Sequence, residues 1–300
     1  MIEFIQHLIN GLSLGSIYAL IAIGYTMVFG ILQLINFAHG DVYMIGAFSG
    51  FYATRFFFST SEPSLLILIS VMLISMFVCA VLGFVIERVA YRPLRQARRI
   101  NALITAVGVS MFLQFSGQIL FGSDPKFFPQ IYQSSLDLSF GEIKINPLQM
   151  VSLVLALTLM LILQFIIFRT RFGRAMRAVS FQHDLASLMG IPVNRVVSLT
   201  FMLGSALAGA GGVLVGLIYP KIEPLMGVMP GLKCFVAAVL GGIGNMAGAV
   251  VGALFLGVAE EFLVGYWLPS YRDALAFALL ILVLLFRPMG LFPVQKTEKV

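Results

Sequence analysis

Long apolar segments dominate this sequence and decide what it can fold into. Nine of them recur along the 300 residues, separated by polar or charged stretches. Segments of this length are typical of helices that cross a lipid bilayer, because roughly 20 residues span its hydrocarbon core. Only 11% of the residues are charged and 60% are hydrophobic, whereas about 25% are charged in soluble domains. The sequence therefore excludes a soluble enzyme and predicts an all-α polytopic membrane protein.

We predict about eight to nine transmembrane passes within a single transmembrane domain over 1–300. The segments are 5–29, 31–58, 64–86, 101–121, 148–168, 196–218, 231–243, 245–266 and 272–287. Two are broken or short. The second contains a polar interruption, and the seventh spans roughly 20 Å at about 1.5 Å per residue, less than the hydrocarbon core. Nine passes would put the two termini on opposite sides of the membrane.

Lys and Arg are divided unevenly between the two predicted sides. Thirteen of the 19 basic residues follow the third, fifth or last pass: Arg88, Arg92, Arg95, Arg98, Arg99, Arg169, Arg171, Arg174, Arg177, Arg195, Arg287, Lys296 and Lys299. Basic loops remain on the cytoplasmic side of a membrane. The sequence therefore predicts an external N-terminus and a cytoplasmic C-terminus, and the net charge of +6 gives no reason to expect nucleic acid.

Two loops exceed ordinary helix–helix connections. Residues 122–147 form a predicted external loop, in which apolar residues alternate from Leu136 to Ile145 and predict a hairpin that turns at Gly141. Residues 169–195 form a predicted cytoplasmic loop with two helical stretches, one beginning at Arg174 and one at Asp184; Gly190 and Pro192 end the second. We expect a short surface helix there.

Catalytic motifs are missing from the sequence. It contains no G-x-x-x-x-G-K-[ST], no G-x-S-x-G and no H-E-x-x-H. Its three histidines lie far apart, and Cys79 and Cys234 stand alone in apolar runs, where buried small side chains are expected. We therefore expect no catalytic residues, metal or cofactor in this chain, and transport rather than an enzymatic reaction.

Two polar or glycine-containing interruptions lie at predicted membrane depth. They contain Asn36, His39, Asp41, Gly241, Gly242 and Asn245. Such a pair in the two halves of a chain indicates a translocation pathway, because unwound backbone and helix ends supply ligands there. An alternative for the first group is a helix cap at the cytoplasmic interface.

Small residues recur at four-residue spacing, at Gly212 and Gly216 and at Gly244, Gly248 and Gly252. This spacing favours close helix packing, either within the chain or between subunits. A short echo, Leu14-Gly15-Ser16 and Leu203-Gly204-Ser205, opens two passes that run in opposite directions and is compatible with an inverted repeat.

The second half of the cytoplasmic loop resembles the coupling loop of ABC-importer permeases, E-A-A-x-x-x-G. Here it reads Asp184-Leu185-Ala186, three residues, then Gly190, and it departs at Leu185 and again at 200–203. With four further segments, the chain resembles the permeases of branched-chain amino-acid ABC importers over nearly all its length: Ile21–Val28, Ile35–Gly40, Ile86–Pro93 and Ala237–Gly244. The resemblance is weakest over 122–147.

The resemblance implies a permease subunit in a bacterial inner membrane, with a periplasmic N-terminus. Implied partners are a second permease, two cytoplasmic subunits that bind and hydrolyse ATP, and a periplasmic binding protein that delivers leucine, isoleucine or valine. Residues expected to couple to the ATPases are Arg174, Ala175, Arg177, Asp184, Ala186 and Gly190. The alternatives are a urea or short-amide permease of the same family, and a secondary transporter that uses Asp41 or Glu260 and Glu261.

Overall fold

A computed structural model describes residues 2–58, 61–95, 97–133, 138–140, 143–267 and 269–292. Its helices are α1 (Ile2–Leu32), α2 (His39–Phe57), α3 (Leu65–Ile86), α4 (Arg99–Phe121), α5 (Pro147–Arg169), α6 (Arg171–Phe181), α7 (His183–Leu188), α8 (Val193–Ile218), α9 (Val228–Gly241), α10 (Met246–Tyr266) and α11 (Arg272–Phe286). A π-helical turn (Glu87–Tyr91) follows α3. Short strands β1 (Lys126–Phe127), β2 (Leu138–Phe140), β3 (Ile143–Ile145) and β4 (Lys221–Ile222) form two antiparallel pairs, β1–β4 and β2–β3.

The helices have the length and composition of membrane spans. Seven, those built on α1, α3, α4, α5, α8, α10 and α11, are long and apolar enough to cross a bilayer, and α9 is a shorter apolar helix. Each of the nine predicted passes corresponds to one helix: these seven, the shorter α9, and α2. The prediction of an all-α polytopic membrane protein is confirmed.

The predicted boundary between the first two passes is wrong. Helix α1 continues through Leu32 and keeps Ile31 buried against the bundle. Gln33 then adopts a left-handed backbone conformation, with φ of 54°. This conformation lies outside the right-handed helical region, so the helix ends there. The polar interruption therefore separates two helices instead of breaking one.

The two ends of the bundle differ in their connections. At one end, which we call the basic end, α3 and α5 end and α8 begins; there Arg95 donates a hydrogen bond to Asn194 Oδ1 at 2.7 Å. At the opposite end β1 of the long loop pairs with β4, which follows α8, and Lys126 lies opposite Ile222. The loops therefore divide between the ends as the predicted topology requires.

Helices α1 and α8 form the centre of the bundle, and their packing partners are exchanged. Helix α1 packs most extensively against α10, whereas α8 packs most extensively against α3; α2 also contacts α8, and α9 contacts α1. This exchange is the pattern expected if α1–α3 and α8–α10 are inverted copies. Contacts are close: a methyl group on Gly15 would lie 2.8 Å from Leu254 Cα, and one on Gly46 would lie 2.6 Å from Gly209 Cα.

Two smaller features that the sequence predicted, a hairpin and a stripe of small residues, are also found in the structure. The hairpin is confirmed as β2 and β3, with Leu138 opposite Ile145 and Phe140 opposite Ile143; Leu136 and Gly141 lie outside the described residues. Gly248 and Gly252 of α10 face α9, so this small-residue stripe serves packing within the chain.

Candidate coupling and translocation site

The predicted surface helix at the basic end consists of two helices, α6 and α7. Thr170 precedes α6 and caps it, because its hydroxyl accepts a hydrogen bond from Gly173 N at 3.1 Å. One face of α6 buries Gly173, Met176 and Val179 against the bundle, because these residues recur at helical spacing. We refer to residues 171–192 as the coupling segment.

The six predicted coupling residues differ in where they point. Arg174, Arg177, Asp184 and Gly190 are exposed, and Ala175 is half-buried. Ala186 is only 4% exposed and therefore contacts its own chain. The guanidinium of Arg177 donates to the carbonyl of Ile167 and lies 5.4 Å from the ring centroid of Phe168. Arg177 thus holds the end of α5, which leaves Arg174 and Asp184 as the charged side chains directed outwards.

An exposed apolar patch on the coupling segment was missed by the sequence analysis. It comprises Phe181, Leu185, Leu188 and Met189, and the last two are each 81% exposed. Phe181 ends α6, Leu185 and Leu188 lie on α7, and Met189 follows α7; the first three recur at helical spacing, a signal that is present in the sequence but is not part of the coupling motif. Large exposed apolar patches mark contacts with other molecules. The patch, which we call the coupling patch, therefore suits a protein partner.

A buried polar network, the basic-end network, joins the end of α3 to the start of α8. The carboxylate of Glu87 is fully buried and accepts a hydrogen bond from Ser198 at 2.5 Å. Arg95 forms an ion pair with the same carboxylate and also donates to Asn194. Because α8 directly follows the coupling segment, this network ties that segment to α3.

His183 begins α7 beside this network. Burial, and then the positive charge of Arg95, lower the pKa of its imidazole, while Asp184 opposes the shift. His183 is therefore neutral at physiological pH and adds no charge to the coupling segment.

The first interruption is packed into the bundle interior. Asn36 Oδ1 accepts a hydrogen bond from the Tyr91 hydroxyl at 2.9 Å. The His39 ring contacts Gly24 and meets Tyr25 edge-on, with 4.8 Å between ring centroids. Asp41 accepts from the Ser110 hydroxyl at 2.5 Å. Asp41 lies in the first turn of α2, as the alternative of a helix start expects, but the cap position is occupied by Ala38 and no side chain donates or accepts a capping hydrogen bond there.

The second interruption is a tight turn between α9 and α10. Gly242 has φ of 102°, a conformation that glycine adopts readily. Asn245 caps α10, because its Oδ1 accepts from Gly248 N at 3.1 Å. Its Nδ2 donates to Phe292 O at 3.1 Å, and Phe292 N donates to Gly241 O at 3.1 Å. The turn thereby holds the end of the described chain.

The structure brings the two interruptions together. Ile35 and Ile243 line one cavity of about 10 Å³, together with Tyr25 and Phe235. Close to this cavity, α2 and α9 begin side by side: a methyl group on Gly40 would lie 2.9 Å from Gly231 Cα. From there α2 runs towards the strands and α9 towards the basic end. Two broken regions thus meet in the bundle interior, with room for about one water molecule.

A second buried polar network, the interior network, was also missed by the sequence analysis. Lys233 of α9 lies 3.0 Å from Glu260 and 2.7 Å from Asp273. Arg272 lies 2.9 Å from the second oxygen of Glu260, to which the Tyr18 hydroxyl also donates at 3.2 Å. The fully buried Glu260 is therefore neutralised by two cations, which gives it a structural role rather than that of a free ion carrier.

Within the described ranges, no three His, Cys, Asp or Glu residues are grouped closely enough to hold a metal ion. Cys79 and Cys234 are buried free thiols, as the sequence predicted.

The chain matches one family model from residue 7 to residue 284, described as branched-chain amino acid transport system / permease component. That match covers both interruptions, the coupling segment and both buried networks. The chain belongs to this permease family.

Full-length relatives support the assignment to the branched-chain amino acid permease family. The chain is 44% identical to the permease protein BraD of Pseudomonas aeruginosa, over 99% of this chain and 98% of that protein. It is 43% identical to LivH of Escherichia coli over the same shares. A probable LivH of Methanocaldococcus jannaschii is 25% identical over 92% of this chain and 88% of that protein. The first two are described as high-affinity branched-chain amino acid transport system permeases.

Proposed function

We propose that this chain is a permease subunit of a bacterial ABC importer that moves leucine, isoleucine or valine into the cytoplasm. The observation that carries the proposal is its 44% identity, over nearly the full length of both chains, to a permease of a high-affinity branched-chain amino acid transport system. On this proposal the chain is a single transmembrane domain and binds no cofactor. A second permease completes the membrane part, two cytoplasmic ATPase subunits bind ATP, and a periplasmic protein delivers the substrate.

The basic end faces the cytoplasm in this proposal. It carries the arginines that follow α3 and α5, and such residues remain on the cytoplasmic side of inner-membrane proteins. The N-terminus and the long loop with β1–β3 then face the periplasm, and the C-terminus faces the cytoplasm.

The coupling segment is the proposed contact with an ATPase subunit. The coupling patch presents Leu188 and Met189 to the cytoplasm, with Arg174 and Asp184 beside it. Apolar side chains that enter a pocket of a partner supply most of the energy of such interfaces. Movement of this segment would reach α8 directly and α3 through the Glu87 carboxylate.

The translocation pathway is proposed to run past the two interruptions, with Asn36, His39 and Asp41 on one and Gly241, Gly242 and Asn245 on the other. Their common cavity is too small for an amino acid in this structure. Passage would require α2 and α9 to separate where they begin. Unwound backbone at that place would then offer polar groups to the substrate.

A secondary transporter is disfavoured by the contacts of its candidate ion carriers. Glu260 is held by two cations, and Asp41 is bonded to Ser110. Neither carboxylate faces an open water-filled route among the described residues.

The deciding experiment is uptake by the complex purified with its co-expressed subunits and reconstituted in vesicles. We expect ATP-dependent uptake of labelled leucine in the presence of the binding protein, with competition by isoleucine and valine but not by urea. Uptake without ATP would indicate a secondary transporter, and competition by urea but not by leucine would indicate the amide permease.

The coupling role is tested by Gly190→Val. Gly190 has φ of 79° and lies just after α7, where its N–H donates to Ser187 O, so a β-branched residue there would distort the coupling segment. We expect loss of uptake with the complex still assembled. Gly108→Val is the matched control, because nothing lies within 4 Å of a methyl group added at Gly108. Normal uptake by Gly190→Val would contradict the coupling role.

The docking role is tested by Leu188→Ser. Truncation of a side chain that anchors an interface costs about 2 kcal/mol or more, so if Leu188 is such an anchor we expect retention of the ATPase subunits during purification to weaken at least roughly tenfold. Phe127→Ser, which alters an exposed apolar side chain at the opposite end, should leave retention unchanged. Equal retention in the two variants would exclude the coupling patch as the docking surface.

A further inference from the structure

A large cleft opens at the basic end between the last turn of α3 and the first turns of α8. Its volume is about 870 Å³, within the range of ligand-binding pockets. Six of its lining residues are of two kinds, three arginines and three apolar side chains: Arg88, Arg92, Arg195, Phe84, Leu199 and Met202. Neither the coupling patch nor the translocation residues contribute to it.

The arginines give the cleft a strong positive charge. Within the described part of the chain, Arg88, Arg92 and Arg195 form no ion pair with a carboxylate. Glu87 adjoins Arg88 in sequence, but its carboxylate is fully buried and is bound by Arg95 and Ser198. Three guanidinium groups without a counter-charge favour an anion, and guanidinium is well suited to phosphate.

The apolar residues extend the cleft into the membrane-spanning part of the helices. Phe84 lies in the last turn of α3, and Leu199 on α8 is exposed. Met202 lies nine positions after Val193, where α8 begins, which corresponds to about 14 Å along a helix. The cleft therefore combines cations at the end of the bundle with an apolar wall at the depth of lipid chains.

We propose that this cleft binds an anionic glycerophospholipid, with its phosphate at the three arginines and one acyl chain along Phe84, Leu199 and Met202. Basic pockets between transmembrane helices bind lipid headgroups of this kind. A zwitterionic amino acid suits the cleft less well, because its ammonium group would need a carboxylate that the described lining lacks. A soluble phosphate would leave the apolar wall unused.

The position of the cleft gives the lipid a mechanical consequence. Ser187 of the coupling segment and Arg88 of the π-helical turn both line it. A lipid bound there would connect the coupling segment to the end of α3, in parallel with the basic-end network.

The test is native mass spectrometry of the assembled, delipidated complex titrated with dioleoyl-phosphatidylglycerol, dioleoyl-phosphatidylcholine or glycerol 3-phosphate. We expect phosphatidylglycerol to bind with the highest affinity. The variant R88Q/R92Q/R195Q should weaken its binding on the order of 100-fold, because each basic residue near a headgroup contributes about a fivefold factor. This readout measures binding directly, so it is independent of the proposed transport function.

Two further variants make the result decisive. R98Q/R171Q/R287Q removes three exposed arginines at the same end but outside the cleft, and it should bind phosphatidylglycerol nearly as well as wild type. Met202→Trp fills the apolar wall while keeping the arginines, and it should weaken phosphatidylglycerol binding even if the triple cleft variant fails to assemble.

Three outcomes would overturn the proposal. Equal losses in the two triple variants would show only diffuse attraction to a basic surface. Displacement of phosphatidylglycerol by glycerol 3-phosphate would indicate a small-anion site. Unchanged binding by Met202→Trp would show that no acyl chain occupies the cleft.

Discussion

The two buried networks each enclose a glutamate whose side chain is fully inaccessible to solvent, yet they are built differently. In the basic-end network, as far as the described residues show it, Glu87 has a single cation, Arg95, and a neutral donor, Ser198. In the interior network, Glu260 has two cations, Lys233 and Arg272. The first lies near an aqueous end of the bundle, whereas the second connects four helices.

This difference follows from the cost of placing charge away from water. A carboxylate in the interior of a membrane protein is costly unless it is paired and hydrogen-bonded. Arg95, the cation paired with Glu87, has 16% of its side chain accessible. Of the two cations of Glu260, Arg272 has 30% accessible and Lys233 only 6%. Water can therefore compete for the cation of Glu87, whereas Glu260 keeps one nearly buried cation, Lys233. We infer that the interior network holds the fold and that the basic-end network transmits movement.

The largest expected effect is that of Glu260→Leu. The substitution leaves Lys233 nearly buried, opposite only the half-exposed Asp273, and breaking a buried pair in this way costs about 3–5 kcal/mol. We expect little folded protein in the membrane and a marked fall in the unfolding temperature of the detergent-solubilised complex. Glu261→Leu is the matched control, because among the described residues the ion pair of Glu261 is with Arg272 alone, at 3.3 Å. Equal stability of the two variants would refute the structural role of Glu260.

The second effect is that of Glu87→Gln, which should reduce transport more than stability. The amide keeps a hydrogen bond with Ser198 but removes the charge that holds Arg95, at a cost of about 1–3 kcal/mol. We expect ATP hydrolysis to continue while the leucine imported per ATP falls severalfold. Ser198→Ala, which removes only the neutral donor, should lower this ratio less. An unchanged ratio in Glu87→Gln would show that the network does not transmit movement.

The smallest effect is that of Asp273→Asn at the periphery of the interior network. The side chain of Asp273 is 49% exposed, and exposed ion pairs contribute about 0–1 kcal/mol. We expect an unfolding temperature close to that of wild type and only slightly below that of Glu223→Gln, which breaks the exposed pair with Lys221. A loss as large as that of Glu260→Leu would mean that solvent does not screen this position.

The sequence predicted the helices well because their apolar composition is a local property. It did not predict where α1 ends, since the backbone conformation of Gln33 depends on packing around it. It also could not pair Ser198 with Glu87, which lie 111 positions apart. Lys233 lies in an apolar segment with no acidic neighbour in sequence, so its partners became visible only once α9, α10 and α11 were placed.

The coupling loop shows the same limit. The motif correctly indicated a helical element, but it placed Ala186 among the residues expected to couple to the ATPases, although Ala186 is buried against its own chain. It does not include Leu188, at the end of α7, or the following Met189, which are each 81% exposed. A motif specifies spacing along the chain, whereas the direction of each side chain depends on how the helix is seated.

The extensive packing of α1 against α10 has a consequence for biosynthesis. Residues 33–245 separate α1 from α10, and at about 5–20 residues per second their synthesis takes roughly 10–50 s, during which α1 lacks its main partner. During that interval its glycine-rich face has no permanent neighbour. We therefore expect the insertion machinery to cover this face of α1 until α10 is made. A shortened chain that lacks α10 should be degraded by membrane proteases.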